Sequence, residues 1–123
     1  MTDQIYCDQV CAWSEVQPGA VLEYPFGPEA AVYKVGGKIF ALLAVDGSEY
    51  VTLKVEPEEG IALRAQYDFV REGYYMNKRH WITIDLGPDT VMSEVQELIE
   101  NSYALVVSTL TRKLRNELGL AAS

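Results

Sequence analysis

The middle of the chain consists of hydrophobic, β-prone runs separated by glycine-containing turns, and the last of these runs alternates with a period of two, which predicts an antiparallel meander. Two β-prone runs, residues 31–35 and 38–45, are separated by Gly36-Gly37. Paired glycines can take the positive φ angles of a tight hairpin turn. A two-residue loop sets the register of this hairpin and places its two lysines on opposite faces. The predicted cross-strand pairs are Val35 with Lys38 and Lys34 with Ile39.

Two further strands follow from the same alternation. Asp46-Gly47 predicts a turn into a third strand at residues 50–55, and residues 81–86 predict a fourth. In the third strand, the residues predicted to face the core are Val51, Leu53 and Val55, and those predicted to point outward are Tyr50, Thr52 and Lys54. In the fourth strand, Ile82, Ile84 and Leu86 share one face, and Trp81, Thr83 and Asp85 share the other.

Three helices are predicted. Hydrophobic residues spaced three and four apart predict the first and the third, and Pro57 with an acidic first turn predicts the second, whose apolar residues form no perfect stripe. The first covers residues 3–13, and the second is short, opening at Glu56-Pro57 and ending near Asp68. The third, residues 90–108, has the most regular apolar stripe, with Asp89 or Thr90 as its cap. That stripe comprises Val91, Val95, Leu98, Ile99, Ser102, Leu105 and Val106.

The remaining segments are interpreted as connections. Residues 21–28 contain two prolines and a glycine and predict an irregular path, with Tyr24 and Phe26 anchored to the core. The alternative is that these two residues form an exposed aromatic loop with a functional role. Residues 69–73 predict a second connection, and residues 109–118 a basic turn or short helix.

The predicted order is α-β-β-β-α-β-α. Antiparallel strands flanked by helices indicate an α+β fold, with a sheet of about four strands and the helices packed on one face. The 123 residues contain no internal repeat or linker, so a single domain covering residues 1–123 is expected.

Charge is distributed unevenly along the chain. The 18 acidic residues outnumber the 10 Lys and Arg, and the net charge of −8 is unusual for a protein that coats a phosphate backbone. No basic residue precedes Lys34, and positive charge collects at Lys78-Arg79 and at residues 112–115. The segment 77–81 also contains the one histidine of the sequence.

Several segments, in chain order, form a distinctive set. They are Phe26-Gly27-Pro28-Glu29, residues 33–43, Leu53-Lys54-Val55 with Pro57-Glu58, Gly73-Tyr74, Met76 to Trp81 and residues 102–107. This set resembles the MmcQ/YjbR family of small bacterial proteins, and its Asn-Lys-Arg-His-Trp element is the most specific part. The resemblance implies an α+β fold called the double-wing motif, related to the frataxin-like (CyaY-like) architecture, and it implies DNA binding.

The residues themselves suggest where nucleic acid would bind. Basic side chains neutralise phosphates, and aromatic rings stack on unpaired bases. The candidate residues are Lys34 and Lys38 on the hairpin, then Tyr74, Asn77, Lys78, Arg79, His80 and Trp81, with Arg112, Lys113 and Arg115 as a possible extension. Structural roles are the alternative: Trp81 covering a sheet edge, Lys78 and Arg79 paired with acids, and His80 buried with the strand parity of Ile82.

Other functional classes have weaker support. The alternative is a small-ligand or protein-interaction module of frataxin-like shape, using an aromatic face around Tyr50, Thr52 and Trp81. No nucleophile signature or phosphate loop is present, so no enzyme activity is expected. Two cysteines and one histidine fall short of a zinc site, and no metal or cofactor is expected.

Cellular context follows from the same sequence. Cys7 and Cys11 are expected to be reduced, small hydrophobic residues. The sequence contains neither a signal peptide nor an apolar run long enough to cross a bilayer. A monomer in the cytoplasm, with DNA as its possible partner and no membrane association, is therefore expected.

Overall fold

The computed structural model describes residues 4–44, 49–73 and 77–120. Within these ranges the chain forms four helices and six strands. The helices are α1 (Gln4–Glu15), α2 (Pro57–Gln66), α3 (Met92–Ser108) and α4 (Arg112–Glu117). The strands are β1 (Val21–Glu23), β2 (Ala30–Val35), β3 (Lys38–Ala44), β4 (Tyr50–Lys54), β5 (Val70–Glu72) and β6 (Trp81–Asp85).

The strands form one antiparallel sheet in the order β1-β2-β3-β4-β6-β5. The predicted α+β class is confirmed, and the four predicted strands are β2, β3, β4 and β6. The two outermost strands, β1 and β5, occupy segments that were predicted to be connections. Each has only three residues, which is too short to show a period of two. They are strands because a longer neighbour supplies backbone hydrogen-bond partners.

The β2–β3 hairpin has the predicted register. Val35 pairs with Lys38 and Lys34 with Ile39, and both glycines of the turn have positive φ, 60° for Gly36 and 83° for Gly37. A bulge interrupts the ladder opposite Tyr33 and Lys34, where β3 carries Phe40 as an extra residue. The predicted turn at Asp46-Gly47 lies outside the described residues.

Helices α1, α2 and α3 cover one face of the sheet, as predicted. That face contributes the side chains that alternate inward along the strands, including Ala31, Tyr33, Leu43, Val51, Leu53, Ile82 and Ile84. The helices contribute Cys7, Val10, Leu63, Val95, Leu98, Ile99 and Val106. Most of the predicted stripe of α3 is therefore buried, but Val91 is the exposed N-cap and Leu105 is only half-buried.

Ser102, in the middle of α3, completes the hydrogen bonding of the sheet. Its hydroxyl donates to the Phe40 carbonyl oxygen (2.6 Å) and accepts from the Lys54 amide (2.8 Å). Beyond the Ala41–Leu53 pair, the regular ladder would pair Phe40 with Lys54, but the β3 bulge lies there. A buried helix side chain thus bridges two strands where the bulge interrupts their direct pairing.

The second sheet face has no helix of α1–α3 packed on it, yet its central row is buried. Thr52 lies on this face as predicted, but it is fully buried rather than exposed. It stands between Leu42 of β3 and Thr83 of β6 in register, and its hydroxyl shares a hydrogen bond of 3.1 Å with that of Thr83. Neighbouring strands therefore cover Thr52 from both sides.

Two local predictions are wrong. Tyr24 and Phe26 do not anchor their loop to the core, because their side chains are 51% and 65% exposed beyond the edge strand β1. The N-cap of α3 is Val91, without a side-chain cap. Thr90 instead closes the preceding turn, donating to the Asp85 carbonyl and accepting from the Gly87 amide.

Candidate nucleic-acid interface

The fold brings two of the predicted binding segments to the same end of the sheet. Strand β3 begins at Lys38, and β6 begins at Trp81. Both strands run antiparallel to β4, whose final residue Lys54 pairs with Trp81. The hairpin tip and the turn of residues 77–80 therefore project from one end, two strand spacings or about 10 Å apart. We call Lys38 together with residues 77–80 the basic end.

The turn of residues 77–80 is held by its own backbone and by β4. The Asn77 side-chain oxygen accepts from the Arg79 amide (2.8 Å), and the His80 amide donates to the Asn77 carbonyl (3.2 Å). The His80 carbonyl in turn accepts from the Val55 amide (2.8 Å). An Asn side chain that bonds two residues ahead is a common way to fix such a turn. All four residues of the turn are exposed, so the Lys78, Arg79 and His80 side chains face solvent.

The alternative that His80 is buried with Ile82 is therefore wrong. His80 precedes β6 in a turn, and strand parity does not extend into a turn. Its imidazole is available to a partner in solution.

Trp81 is half-buried at the start of β6, on the sheet face opposite the helices. The Lys54 ammonium nitrogen lies 6.0 Å from the centre of its ring, at the limit of a cation–π contact. Lys54 is not among the binding residues predicted from the sequence. Its outward position in the predicted third strand is the sequence feature that could have identified it. The indole ring of Trp81 is therefore partly exposed to solvent, with the Lys54 ammonium beside it.

Gly73 fixes the position of Trp81. Its amide donates to the Trp81 carbonyl (2.9 Å), and a Cβ on Gly73 would lie 2.6 Å from the Trp81 Cβ. No side chain fits into that separation. The backbones of Gly73 and Trp81 are therefore in close contact, which leaves room only for glycine at position 73.

The two hairpin lysines have different environments. Lys34 forms an ion pair with Glu23 of β1 at 3.0 Å, which neutralises its charge locally. Lys38 lies on the helix-covered face, where its ammonium donates to the Thr109 hydroxyl (3.1 Å) and remains exposed. Of the two, Lys38 is the better phosphate ligand.

The basic C-terminal residues start near the hairpin. A Cβ on Gly36 would lie 2.8 Å from Leu110, so the chain entering α4 contacts the hairpin turn. Arg112 and Lys113 follow at the exposed start of α4, whereas Arg115 is partly buried. Two of the three cations in the predicted extension are therefore exposed to solvent, and the third, Arg115, is partly buried.

Acidic residues adjoin the basic end. Glu56 follows directly after Val55, the residue that hydrogen-bonds His80, and Glu58 and Glu59 occupy the first turn of α2. All three are exposed. Their negative charge makes the electrostatic potential of the basic end less positive and weakens its attraction for phosphate. Tyr74, the remaining predicted binding residue, lies outside the described residues.

The cysteines do not have the environment of reactive nucleophiles. Cys7 is buried, and Cys11 is half-buried. Burial raises the pKa of the Cys11 thiol, and the Glu15 and Asp8 carboxylates raise it further. Burial and the Cys11 side chain also raise the pKa of the neighbouring Tyr33 hydroxyl. Within the described ranges, no group of three or more His, Cys, Asp and Glu side chains is placed to hold a metal ion.

We expect Cys11 to react slowly with iodoacetamide at pH 8, because a raised thiol pKa leaves little thiolate. The measurement is mass spectrometry of the Cys7→Ala variant, in which Cys11 is the remaining thiol, before and after unfolding in urea. The unfolded chain should react at the rate of an ordinary cysteine peptide. Equal rates in the folded and unfolded states would show that Cys11 is a normal, accessible thiol.

Comparison with known proteins agrees with this fold and its motifs. The YjbR family model matches residues 16–105, which include the hairpin, both segments of the basic end and most of α3. The chain belongs to the YjbR family.

Curated YjbR-family relatives span most of the chain. The chain is 37% identical over 97 residues to the uncharacterised Escherichia coli O157:H7 protein YbdF, covering 78% of this chain and 80% of that protein. It is 32% identical over 100 residues to the uncharacterised protein YjbR of Escherichia coli K12, covering 80% and 85% of the two chains.

Solved structures share the same architecture. The crystal structure of Deinococcus radiodurans protein DR2400 superposes with a TM-score of 0.86 at 32% identity, covering 95% of this chain and 90% of that one. A crystal structure from Pseudomonas syringae superposes with a TM-score of 0.67 at 30% identity, covering 80% and 97%. The arrangement of strands and helices is therefore common to these proteins and this chain.

Proposed function

We propose that the protein binds nucleic acid, DNA in particular, through the basic end of the sheet. The supporting observation is the convergence of the hairpin tip and the 77–80 turn, which are distant in sequence, at one end of the sheet. Exposed Lys38, Lys78 and Arg79 supply positive charge there. Trp81 with Lys54 offers a ring on which an unpaired base can stack.

The proposed binding is weak and strongly dependent on salt. Three cations that each neutralise one phosphate give a slope of log affinity against log salt of about −2.7 for duplex DNA and about −2.1 for single strands. The three glutamates at residues 56, 58 and 59 oppose this attraction. A preference for single strands is consistent with the partly open Trp81 ring.

Salt-titrated binding of fluorescent single- and double-stranded DNA tests the proposal. The Lys78→Glu/Arg79→Glu variant should bind at least about tenfold more weakly in low salt, and its slope should fall by about one to two units. Both substitutions lie on an exposed turn, so the thermal unfolding midpoint should stay close to that of the parent chain.

A matched pair of single variants separates a local contact from a general charge effect. Arg79→Glu and Arg64→Glu change the net charge equally, but Arg64 lies in the last turn of α2. Arg79→Glu should weaken binding, and Arg64→Glu should leave it nearly unchanged. Equal losses, or no binding by the parent chain at low ionic strength, would contradict the proposal.

A protein-interaction role is the second candidate, and the β1 edge favours it. Strand β1 lies at the sheet margin with Val21, Leu22, Tyr24 and Phe26 exposed in or just after it. An unpaired strand edge with apolar side chains is suited to an added peptide strand. Binding of this kind would depend little on salt, which distinguishes it from DNA binding.

We also propose that the protein acts without catalysis and as a monomer in the cytoplasm. None of the described helices is both long and apolar enough to cross a membrane. Cys7 is buried, Cys11 is half-buried and neither forms a disulfide, which agrees with structural thiols in a reducing compartment.

A further inference from the structure

A cavity of about 520 Å³ lies between α3, α4 and the loop after α1. Its apolar walls include Pro18, Tyr103, Val107 and Leu120, and Arg115 lines it as well. The Tyr103 hydroxyl donates to the Pro18 carbonyl and ties α3 to the loop. This volume is in the range of cavities that take small molecules. None of the residues of the basic end lines it.

Arg115 lines this cavity, and its side chain carries a buried, unsatisfied donor. Its Nε atom is buried and has no hydrogen-bond partner within the part of the chain that the structure describes. The Arg115 backbone is fixed, since its amide donates to Thr111 (3.0 Å) and its carbonyl accepts from Leu120 (2.9 Å). Gly119, with φ of 73°, closes that helix end. A buried N–H group without an acceptor is unfavourable, and reorientation of the guanidinium towards a ligand oxygen in the cavity would satisfy it.

The lining of the cavity favours an anion. It contains the Arg115 guanidinium and no Asp or Glu, in a chain with 18 acidic residues. A different cavity, of about 620 Å³, shows the contrast, since Asp68, Asp85 and Asp89 line it. The Arg115 cavity is thus a partly open recess that this acidic protein lines with a positive charge and no carboxylate.

We propose that the Arg115 cavity binds a small organic acid. The carboxylate accepts hydrogen bonds from the Arg115 guanidinium, whose planar fork matches carboxylate geometry. The apolar body of the acid packs against Tyr103, Val107 and Leu120. The lining favours an amphipathic acid over an inorganic anion. The hydroxyls of Tyr103 and Ser108 already donate to the Pro18 and Leu105 carbonyls, and the apolar walls offer an inorganic anion no hydrogen bonds.

Titration of the full ¹⁵N-labelled chain with phenylacetate tests this directly. We expect saturable shifts of the Arg115 Nε–H signal and of amides in α3 and α4, with a dissociation constant in the millimolar range. Phenylacetamide, the neutral analogue, should bind at least about tenfold more weakly, as expected when a charge-assisted contact is lost. Equal shifts with phenylacetamide, no saturation, or equal shifts with inorganic phosphate would each overturn the proposal.

A matched pair of variants localises the site. Arg115→Met keeps a long side chain but removes the guanidinium, and Arg112→Met makes the same change at an exposed position on the same helix. Phenylacetate affinity should fall about tenfold or more in the first variant and stay unchanged in the second. Equal affinity in the two variants would overturn the assignment. If Arg115→Met does not fold, the comparison of phenylacetate with phenylacetamide on the parent chain decides.

Discussion

Replacing Ser102 by alanine is expected to lower the free energy of unfolding by about 2–4 kcal/mol. The change removes the Ser102 hydroxyl that pairs with the Phe40 carbonyl and the Lys54 amide, and each unsatisfied buried group costs about 1–3 kcal/mol. For a chain of this length, the thermal midpoint should fall by about 10 °C. Urea unfolding gives the free energy, and hydrogen exchange at the Lys54 amide should accelerate.

Ser108→Ala is the matched control for Ser102→Ala. Ser108 is at the exposed end of the same helix, where its hydroxyl donates to the Leu105 carbonyl. Alanine is a better helix former, so this change should alter stability by no more than about 0.5 kcal/mol. If Ser102→Ala has an equally small effect, β3 and β4 must close up and pair directly once the hydroxyl is gone.

Replacing Gly73 by alanine is expected to cost about 3 kcal/mol and to disturb the basic end. The new Cβ would lie 2.6 Å from the Trp81 Cβ and 2.8 Å from its carbonyl oxygen. These atoms belong to the strand itself and cannot rotate away, so β5 and β6 must separate, as in other overpacked sites. Because Trp81 follows the 77–80 turn, DNA affinity should fall together with stability.

Gly87→Ala provides the comparison for Gly73→Ala. A Cβ on Gly87 would meet no atom within 4 Å, and its φ is not in the left-handed region. This substitution should be neutral or stabilising by up to about 1 kcal/mol, because alanine restricts the unfolded chain. Thermal unfolding of both variants, with DNA titration of each, separates the effect of crowding at Trp81 from a general cost of replacing glycine.

The candidate site was only partly predictable. The basic and aromatic residues of the 77–81 segment are visible in the sequence, but their exposure is set by the Asn77 turn and by the bond from Val55 to His80. The neutralisation of Lys34 by Glu23 depends on β1 becoming a strand beside β2. The cavity at Arg115 forms where α3, α4 and the loop after α1 come together. No local sequence pattern predicts that these three segments are adjacent.

The sequence by itself determined the features that depend on neighbouring residues. The Gly36-Gly37 loop set the hairpin register, and the apolar stripe of α3 identified the helix face that packs on the sheet. Local backbone preferences and side-chain periodicity suffice for both. The α+β class followed from the order of these elements, and the family followed from the sequence motifs along the chain.

Only the tertiary structure decided the features that require distant partners. Strands β1 and β5 exist because β2 and β6 supply their hydrogen bonds, and Ser102 joins β3 to β4 from a helix about 50 residues away in sequence. The exposure of Tyr24 and Phe26 likewise follows from the sheet ending at β1. Separate segments bury and hydrogen-bond one another only when the whole chain folds. A short stretch of sequence therefore does not predict these contacts.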